Sequence, residues 1–271
     1  MITIPDFENK SDEIKFIVEN KKQLEAQKKS ESKKADGVVY VSLKEQNKSD
    51  SFKANIAISD NELNKTNELK VRAIINTTNI MDSHNDVHVS GLWKKSLSEN
   101  KMIMHVREHQ SQKFDYIISD GNDLIAYTKD YSFIDLGFNI PGNTEALVFD
   151  STIKKERNPY MFEQYGKGYV RNHSVGMQYV KIVLAVQEKS EYYGAENEAW
   201  DKYFSMVANP EIAEQKGYFW AVTEAKVIEG SAVPMGSNQI TPTQENNIKS
   251  EPEQSTQDKQ IELLSSLIKT F

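Results

Sequence analysis

Tyr169-Val-Arg-Asn-His-Ser-Val-Gly-Met-Gln-Tyr179 stands where an aromatic-rich region of helical character gives way to the apolar run Val180-Lys-Ile-Val-Leu-Ala-Val186. The change of pattern places Ser174 at the mouth of a strand, with Gly176 two residues on. A hydroxyl in that position suits a nucleophile, because a neighbouring glycine leaves room for a substrate backbone and for main-chain N–H groups to meet an oxyanion. A serine at a strand entrance is by itself a turn residue. The reading therefore leans on what flanks it, His105 and His109 upstream and Glu224 and Glu229 downstream.

Before this stretch, Pro159 to Tyr165 predicts a helical turn, and Asn143 to Glu156 predicts a helix with Thr144 as its N-cap. Further upstream, Phe114 to Ser119 and Leu124 to Lys129 flank Asp120-Gly-Asn-Asp123 and predict a hairpin. Lys101 to His105 reads as a buried strand, Leu92 to Leu97 as a short helix, and Leu69 to Ile75 as the strand that opens the core. Residues 1–67 read as an arm and linker. Ser11 to Lys29 carries Ile14, Ile17 and Val18 on one face of a surface helix, and Lys21, Lys22, Lys28, Lys29, Lys33 and Lys34 give it a solvated basic run. Val38 to Leu43 suggests a short strand.

After the stretch, residues 188–216 predict a helical insert with Trp200, Tyr203 and Phe204 packing together, and Tyr218 to Val233 returns to strand. Thr241 to Gln260 is polar and reads as disordered. Ile261 to Phe271 carries Leu264, Leu267, Ile268 and Phe271 on one face of a short amphipathic helix that needs a surface to dock on. The division is thus an arm and linker over 1–67, a core over 68–240, and a tail over 241–271.

Composition narrows the classes. Zero cysteines among 271 residues exclude disulfides and thiolate chemistry, and a net charge of −7 disfavours a general nucleic-acid binder. Mean hydropathy is −0.63 and no apolar run is long enough to span a bilayer, so no membrane segment is expected. Met1 to Glu8 lacks a basic region followed by an apolar one, so no signal peptide is expected, which together reads as a soluble protein of a cytoplasm.

The five histidines are His84, His88, His105, His109 and His173. His84 and His88, His105 and His109, with Asp82 and Asp86, offer a metal reading, but no His-Glu-x-x-His is present and the spacing falls in turn-like sequence. No metal or cofactor is expected. A Ser-His-acid set needs a hydroxyl, an imidazole and a carboxylate that holds its tautomer. His173 precedes Ser174, so on a strand it points to the other face and is not the base. Pattern alone leaves His105 and His109 open. Glu224 and Glu229 are five apart and face opposite sides of an uninterrupted strand, unless a bulge near Gly230 shifts the phase. Small residues around Glu229 favour it. The Gly-x-Ser-x-Gly elbow of α/β-hydrolases is absent.

The order of these landmarks resembles the caudovirus prohead proteases, the HK97-type capsid maturation serine peptidases. Val71 to Ile75 is similar to the family's opening strand, and His84-Asn-Asp-Val-His-Val-Ser-Gly-Leu-Trp93 to its Gly-Asp-x-(Val/Ile)-x-Pro-Gly stretch. Met102 to Gln110 resembles the segment that ends in the catalytic histidine, although Gln110 stands where Asp is usual. Asn172 to Met177 resembles the Ser-x-Gly-Phe motif, and Ala225 to Asn238 the closing block, with Gly230 after Glu229 in place of Val. The resemblance implies an α+β fold, a compact β-barrel flanked by helices akin to herpesvirus assemblin. It implies Ser174 as nucleophile, His109 as base and Glu229 as the orienting acid, with N–H groups near Val175 and Gly176 as oxyanion donors and no cofactor. Its substrates would be phage major capsid and scaffold proteins and the chain itself, inside an immature prohead in a host bacterial cytoplasm, and it is compatible with a homo-oligomer. The alternative is a non-catalytic scaffold or head-assembly protein.

Overall fold

The computed structural model describes residues 3–30, 57–100 and 102–248. In chain order the helices and strands begin with α1 (Lys10–Glu19), α2 (Lys21–Ser30) and α3 (Asp60–Lys65). Next come β1 (Glu68–Asn76), β2 (Asp86–His88), α4 (Lys94–Glu99), β3 (Met104–Arg107), β4 (Ile117–Asp120) and β5 (Leu124–Ser132). β6 (Asn143–Lys154) and α5 (Pro159–Gly166) lead into β7 (Asn172–Val186), followed by α6 (Gly194–Tyr203), α7 (Pro210–Lys216), β8 (Tyr218–Val233) and β9 (Thr243–Ile248).

The strands make two sheets in an α+β arrangement. One runs β5-β6-β1-β9, all antiparallel; in the other β8 is the spine, pairing with β2, β3 and β7, and β3 carries β4 at the edge. Alternation builds the core between them. Leu69, Val71, Ala73 and Phe149 of the first sheet meet Val175, Met177, Val222 and Val227 of the second in one apolar cluster. At its far end the second sheet's outer face is covered by the insert, where Trp200, Tyr203 and Ala213 pack on Phe219 and Ala221.

The two sheets do not close into a barrel among the described residues. β4 approaches β6 and β7 approaches β1 without forming a ladder. At the start of β7 the outer edge is already taken: the Thr241 hydroxyl bonds both main-chain groups of His173, at 3.2 and 2.8 Å.

Several expectations change. Asn143 to Glu156 is mostly strand, not helix; Ala146, Val148, Leu147 and Phe149 are all buried because β6 is covered on both faces, which erases the period-two signal. Ile117–Asp120 and Leu124–Ser132 do not form a hairpin, since each joins a different sheet. The N-terminal helices do not lie outside the core. Ile14, Ile17 and Leu24 join the main apolar cluster, each such side chain contributing about 1.5–3 kcal/mol of burial. Lys21 and Lys28 of the basic run pair with Glu196 and Asp86 rather than standing in water. Thr243–Ile248, expected to be disordered, pairs with β1. The strand expected at Val38 to Leu43, the rest of the polar tail, and the helix expected at Ile261 to Phe271 lie outside the described residues.

Candidate active site

Antiparallel pairing of β7 with β8 sets Ser174 opposite Ser231 and Gly176 opposite Glu229. Directly opposed residues share a face, so Ser174, Ser231 and Glu229 stand together on the outer face, while His173 and Val175 point inward. β3 runs parallel on the other side of β8, with Arg107 opposite Ala232. The chain then leaves β3 through two consecutive left-handed residues, Glu108 at φ 51° and His109 at φ 56°. For residues with a Cβ that conformation costs roughly 1–2 kcal/mol each. It is held by Glu108 N–H on the Ala232 carbonyl at 3.0 Å and His109 N–H on Ser231 Oγ at 2.9 Å. The turn folds the imidazole back over β8, where His109 Nδ1 meets Glu229 Oε1 at 2.6 Å.

Glu229 reaches this position through a bulge. Gly176 pairs with Glu229 but Met177 pairs with Val227, so Ile228 is the extra residue and the phase of β8 shifts by one. Without it Glu229 would lie on the inner face with Val227. Gly176 is the second condition: a Cβ there would sit 2.0 Å from Glu229 Oε1. The glycine thus makes room for the carboxylate, rather than for a substrate backbone as expected. Glu224 is held elsewhere, between Lys181 at 2.5 Å and Lys95 at 3.3 Å, and the hydrogen bond from Lys181 keeps its carboxyl below the usual range.

The protonation pattern follows from the partners. A carboxylate only accepts, so His109 Nδ1 carries the hydrogen and Nε2 of the neutral ring carries the lone pair. Nε2 is buried without a hydrogen-bond partner, as is Glu229 Oε2. A buried unpaired acceptor is costly and calls for an explanation. Ser174 is 6% exposed and its hydroxyl makes no hydrogen bond among the described residues. The Ser174–His109 link is therefore not formed in this conformation; such bonds commonly tighten only with substrate bound. Ser231 is the competing hydroxyl on this face, but it is 0% exposed and committed to the His109 main chain.

His105 belongs to a different network. His173 Nδ1 lies 2.9 Å from the Thr241 carbonyl, which fixes the hydrogen on Nδ1. Its Nε2 then accepts from the Tyr165 hydroxyl at 2.9 Å, Tyr165 accepts from His105 Nε2 at 3.0 Å, and His105 Nδ1 accepts from Ser151 Oγ at 2.8 Å. Burial drives the His173 pKa down to about 4 and, with His173 adding to it, drives that of His105 well down. Both rings are neutral structural groups. Of the two histidines, only His109 reaches a carboxylate on the Ser174 face.

Strand alternation sets the directions of the main-chain N–H groups around Ser174. His173 turns its main chain away from β8 to Thr241, so Ser174 and Gly176 turn theirs toward β8 and Val175 turns away. The Gly176 N–H is taken by the ladder, and Val175 N–H is the remaining donor. A small cavity touching Ser174 and Val175 is lined by His88, Asn76 and Asn238, not by His109 or Glu229, and so lies off the reacting face.

His88 is buried between Asn76 and Tyr179, and no group of three or more His, Asp or Glu that could hold a metal ion occurs among the described residues. No described helix is long and apolar enough to cross a membrane. Sequence reasoning missed Ser231 as the anchor of the His109 main chain, and Tyr165 and Thr241 as the groups that occupy the other histidines. The small residues after Glu229 were the only signal for Ser231. Compared with known proteins, the chain matches no family model, no curated sequence and no solved structure.

Proposed function

We propose that this chain is a serine endopeptidase of the prohead-maturation kind, with Ser174 as nucleophile, His109 as general base and Glu229 as the orienting acid. The observation that carries the reading is the buried 2.6 Å His109–Glu229 bond, made by a left-handed turn on the face where Ser174 stands, with Nε2 left without a partner. The assemblin-like barrel belongs to this proposal, with the two facing sheets taken as its opened form.

In this scheme Ser174 Oγ attacks the scissile carbonyl while His109 Nε2 takes its proton. Glu229 keeps the hydrogen on Nδ1 and stabilises the imidazolium, and Val175 N–H faces the developing oxyanion. His109 then returns the proton to the leaving amine, and water resolves the acyl ester by the same route. The substrates are capsid and scaffold subunits and the chain itself, within a prohead.

The test is an intact-mass time course of purified protein, alone and with a co-expressed capsid subunit, beside Ser174→Ala. Defined fragments that depend on Ser174 support the proposal. Identical fragments from both proteins remove it, and no cleavage of either substrate by wild type favours the scaffold alternative.

A further inference from the structure

β5 is an outer strand of the first sheet, and it is a long, regular edge. It runs nine residues, Leu124-Ile-Ala-Tyr-Thr-Lys-Asp-Tyr-Ser132, with no proline or glycine, and it follows β6 without a register shift. Edge strands are normally short, bulged or guarded, because their free N–H and C=O groups pair with any strand that reaches them. β2 and β4, at edges of the second sheet, follow that rule: β2 has three residues, and β4 has four beside a register shift. Lys129, the one cation of β5, is folded along its own strand, with Nζ 4.9 Å from the centroid of the Tyr131 ring.

Two hydrogen bonds fix which main-chain groups of β5 point outward. Phe133 N–H donates to the Gly142 carbonyl at 3.3 Å, toward β6, whereas Ser132 N–H donates to Asp135 Oδ2 at 3.2 Å, off the ladder. By alternation, Ile125, Tyr127, Lys129 and Tyr131 direct their main chain to β6, and Ala126, Thr128 and Asp130 direct theirs out. Those three have no main-chain partner among the described residues. Side chains divide in the same way. Leu124 and Ala126 pack on the main apolar cluster, while Ile125, Tyr127, Lys129 and Tyr131 line the opposite face, where Ile125 is 64% exposed.

We propose that β5 is a dimer interface: it pairs antiparallel with β5 of a second copy of this chain about a two-fold axis at Thr128, joining two four-stranded sheets into one. Outward groups bond only outward groups, so the pairing can slip by two residues but not by one. Centred on Thr128, all nine residues are paired. Thr128 exchanges two bonds with its own counterpart, and Ala126 exchanges two with the partner's Asp130 on either side of the axis. Ile125 stands opposite the partner's Tyr131 and Tyr127 opposite the partner's Lys129, an apolar contact and a cation–aromatic contact, and no like charges oppose. Either slip shortens the ladder, and one of them sets Lys129 directly against Lys129 of the second copy. The strand belongs to the sheet that does not carry Ser174, and the pairing is independent of the peptidase reading.

The experiment is sedimentation equilibrium of the full chain over a wide range of concentration, with Ser174→Ala so that self-cleavage cannot alter the mass. The mass is expected to approach that of two chains as concentration rises. Thr128→Pro removes the outward N–H at the axis without touching the β6 ladder, and should leave a monomer with its melt intact. Ile125→Lys, at an exposed position, should keep the fold and weaken the dimer about 10-fold or more, because it removes apolar contact and sets a cation diagonal to the partner's Lys129. The chain has no cysteine, so Thr128→Cys supplies a single thiol that a short bismaleimide should link to its own counterpart. Tyr192→Cys, at a position 90% exposed on the insert, should not be linked. If Thr128→Pro fails to fold, Ile125→Lys and the cross-link decide. The mass of one chain at every concentration would show that the edge takes another segment or another protein, and would overturn the proposal. So would a dimer that Ile125→Lys leaves unchanged, or cross-linking that is equal at Tyr192→Cys.

Discussion

Gly176→Ala should separate folding from chemistry. The added methyl would stand 2.0 Å from Glu229 Oε1, 2.7 Å from Cδ and 2.9 Å from Cγ, all of them side-chain atoms. β7 can therefore stay in register while the carboxylate retreats. An ordinary contact of 3.4 Å requires a retreat of about 1.4 Å, whereas the 2.6 Å His109–Glu229 bond can lengthen by only about 0.6 Å before leaving hydrogen-bond range. The imidazole then loses its orienting partner. Losing the acid of such a set costs about 10⁴ in turnover, or ~5.5 kcal/mol of transition-state stabilisation. The fold should lose only the charge-assisted bond, about 1.5–3 kcal/mol. The assay is kcat and KM for capsid-subunit cleavage beside a thermal melt, with Gly194→Ala as a control, since a Cβ there meets nothing within 4 Å. Low kcat, little-changed KM and a folded protein are expected. A folded Gly176→Ala protein with wild-type turnover would refute the argument that Gly176 exists to seat Glu229.

Glu229→Gln should fold and cleave more slowly than wild type, though less severely impaired than Ser174→Ala, while Glu224→Gln, a surface group paired with Lys181 and Lys95, should cleave normally; the reverse pattern would reassign the acid. His173 titrates near 6.5 when unfolded but at about 4 in the fold, so the unfolded chain binds the extra proton first and stability rises with pH between those values. Acidifying from pH 7 to 4 should cost about 3 kcal/mol from His173 alone, with His105 adding in the same direction, and NMR should find both rings neutral at pH 5; titration of either near 6.5 would contradict the network. Truncation after Ile240 removes Thr241 and β9, hence the clamp on His173 and a full edge strand of the first sheet, and should lower the melting temperature sharply or abolish soluble expression. An unchanged melt would show that β9 is not part of the folded unit.

The two central strands β1 and β8 were legible because their apolar, β-branched runs are bounded by breakers: Tyr218 to Val233 is β8 residue for residue, and Leu69 to Ile75 lies within β1. Pro159 at the start of α5, and Trp200 and Tyr203 at helical spacing in the insert, were read for what they are. β6 was not, because burial on both faces removes alternation. β9 was not, because its polar sequence becomes a strand only through the β1 edge that it completes. In the site, Ser174 and the pair of candidate acids could be named from spacing. The devices that join them could not: the extra residue at Ile228, the left-handed turn at Glu108 and His109, and the Ser231 hydroxyl that anchors it are properties of the ladder between strands far apart in sequence. A bulge near Gly230 was foreseeable as a condition, but no residue pattern announced that it had been met.

The central claim is that Ser174 is an activated nucleophile governed by His109. It is tested most directly by exposing the native protein to a fluorophosphonate and locating the adduct by peptide mass spectrometry. The account predicts one stoichiometric adduct, on Ser174, formed quickly in wild type and lost on denaturation before exposure or in His109→Ala. No adduct on Ser174, or one that forms equally fast in His109→Ala, would contradict it.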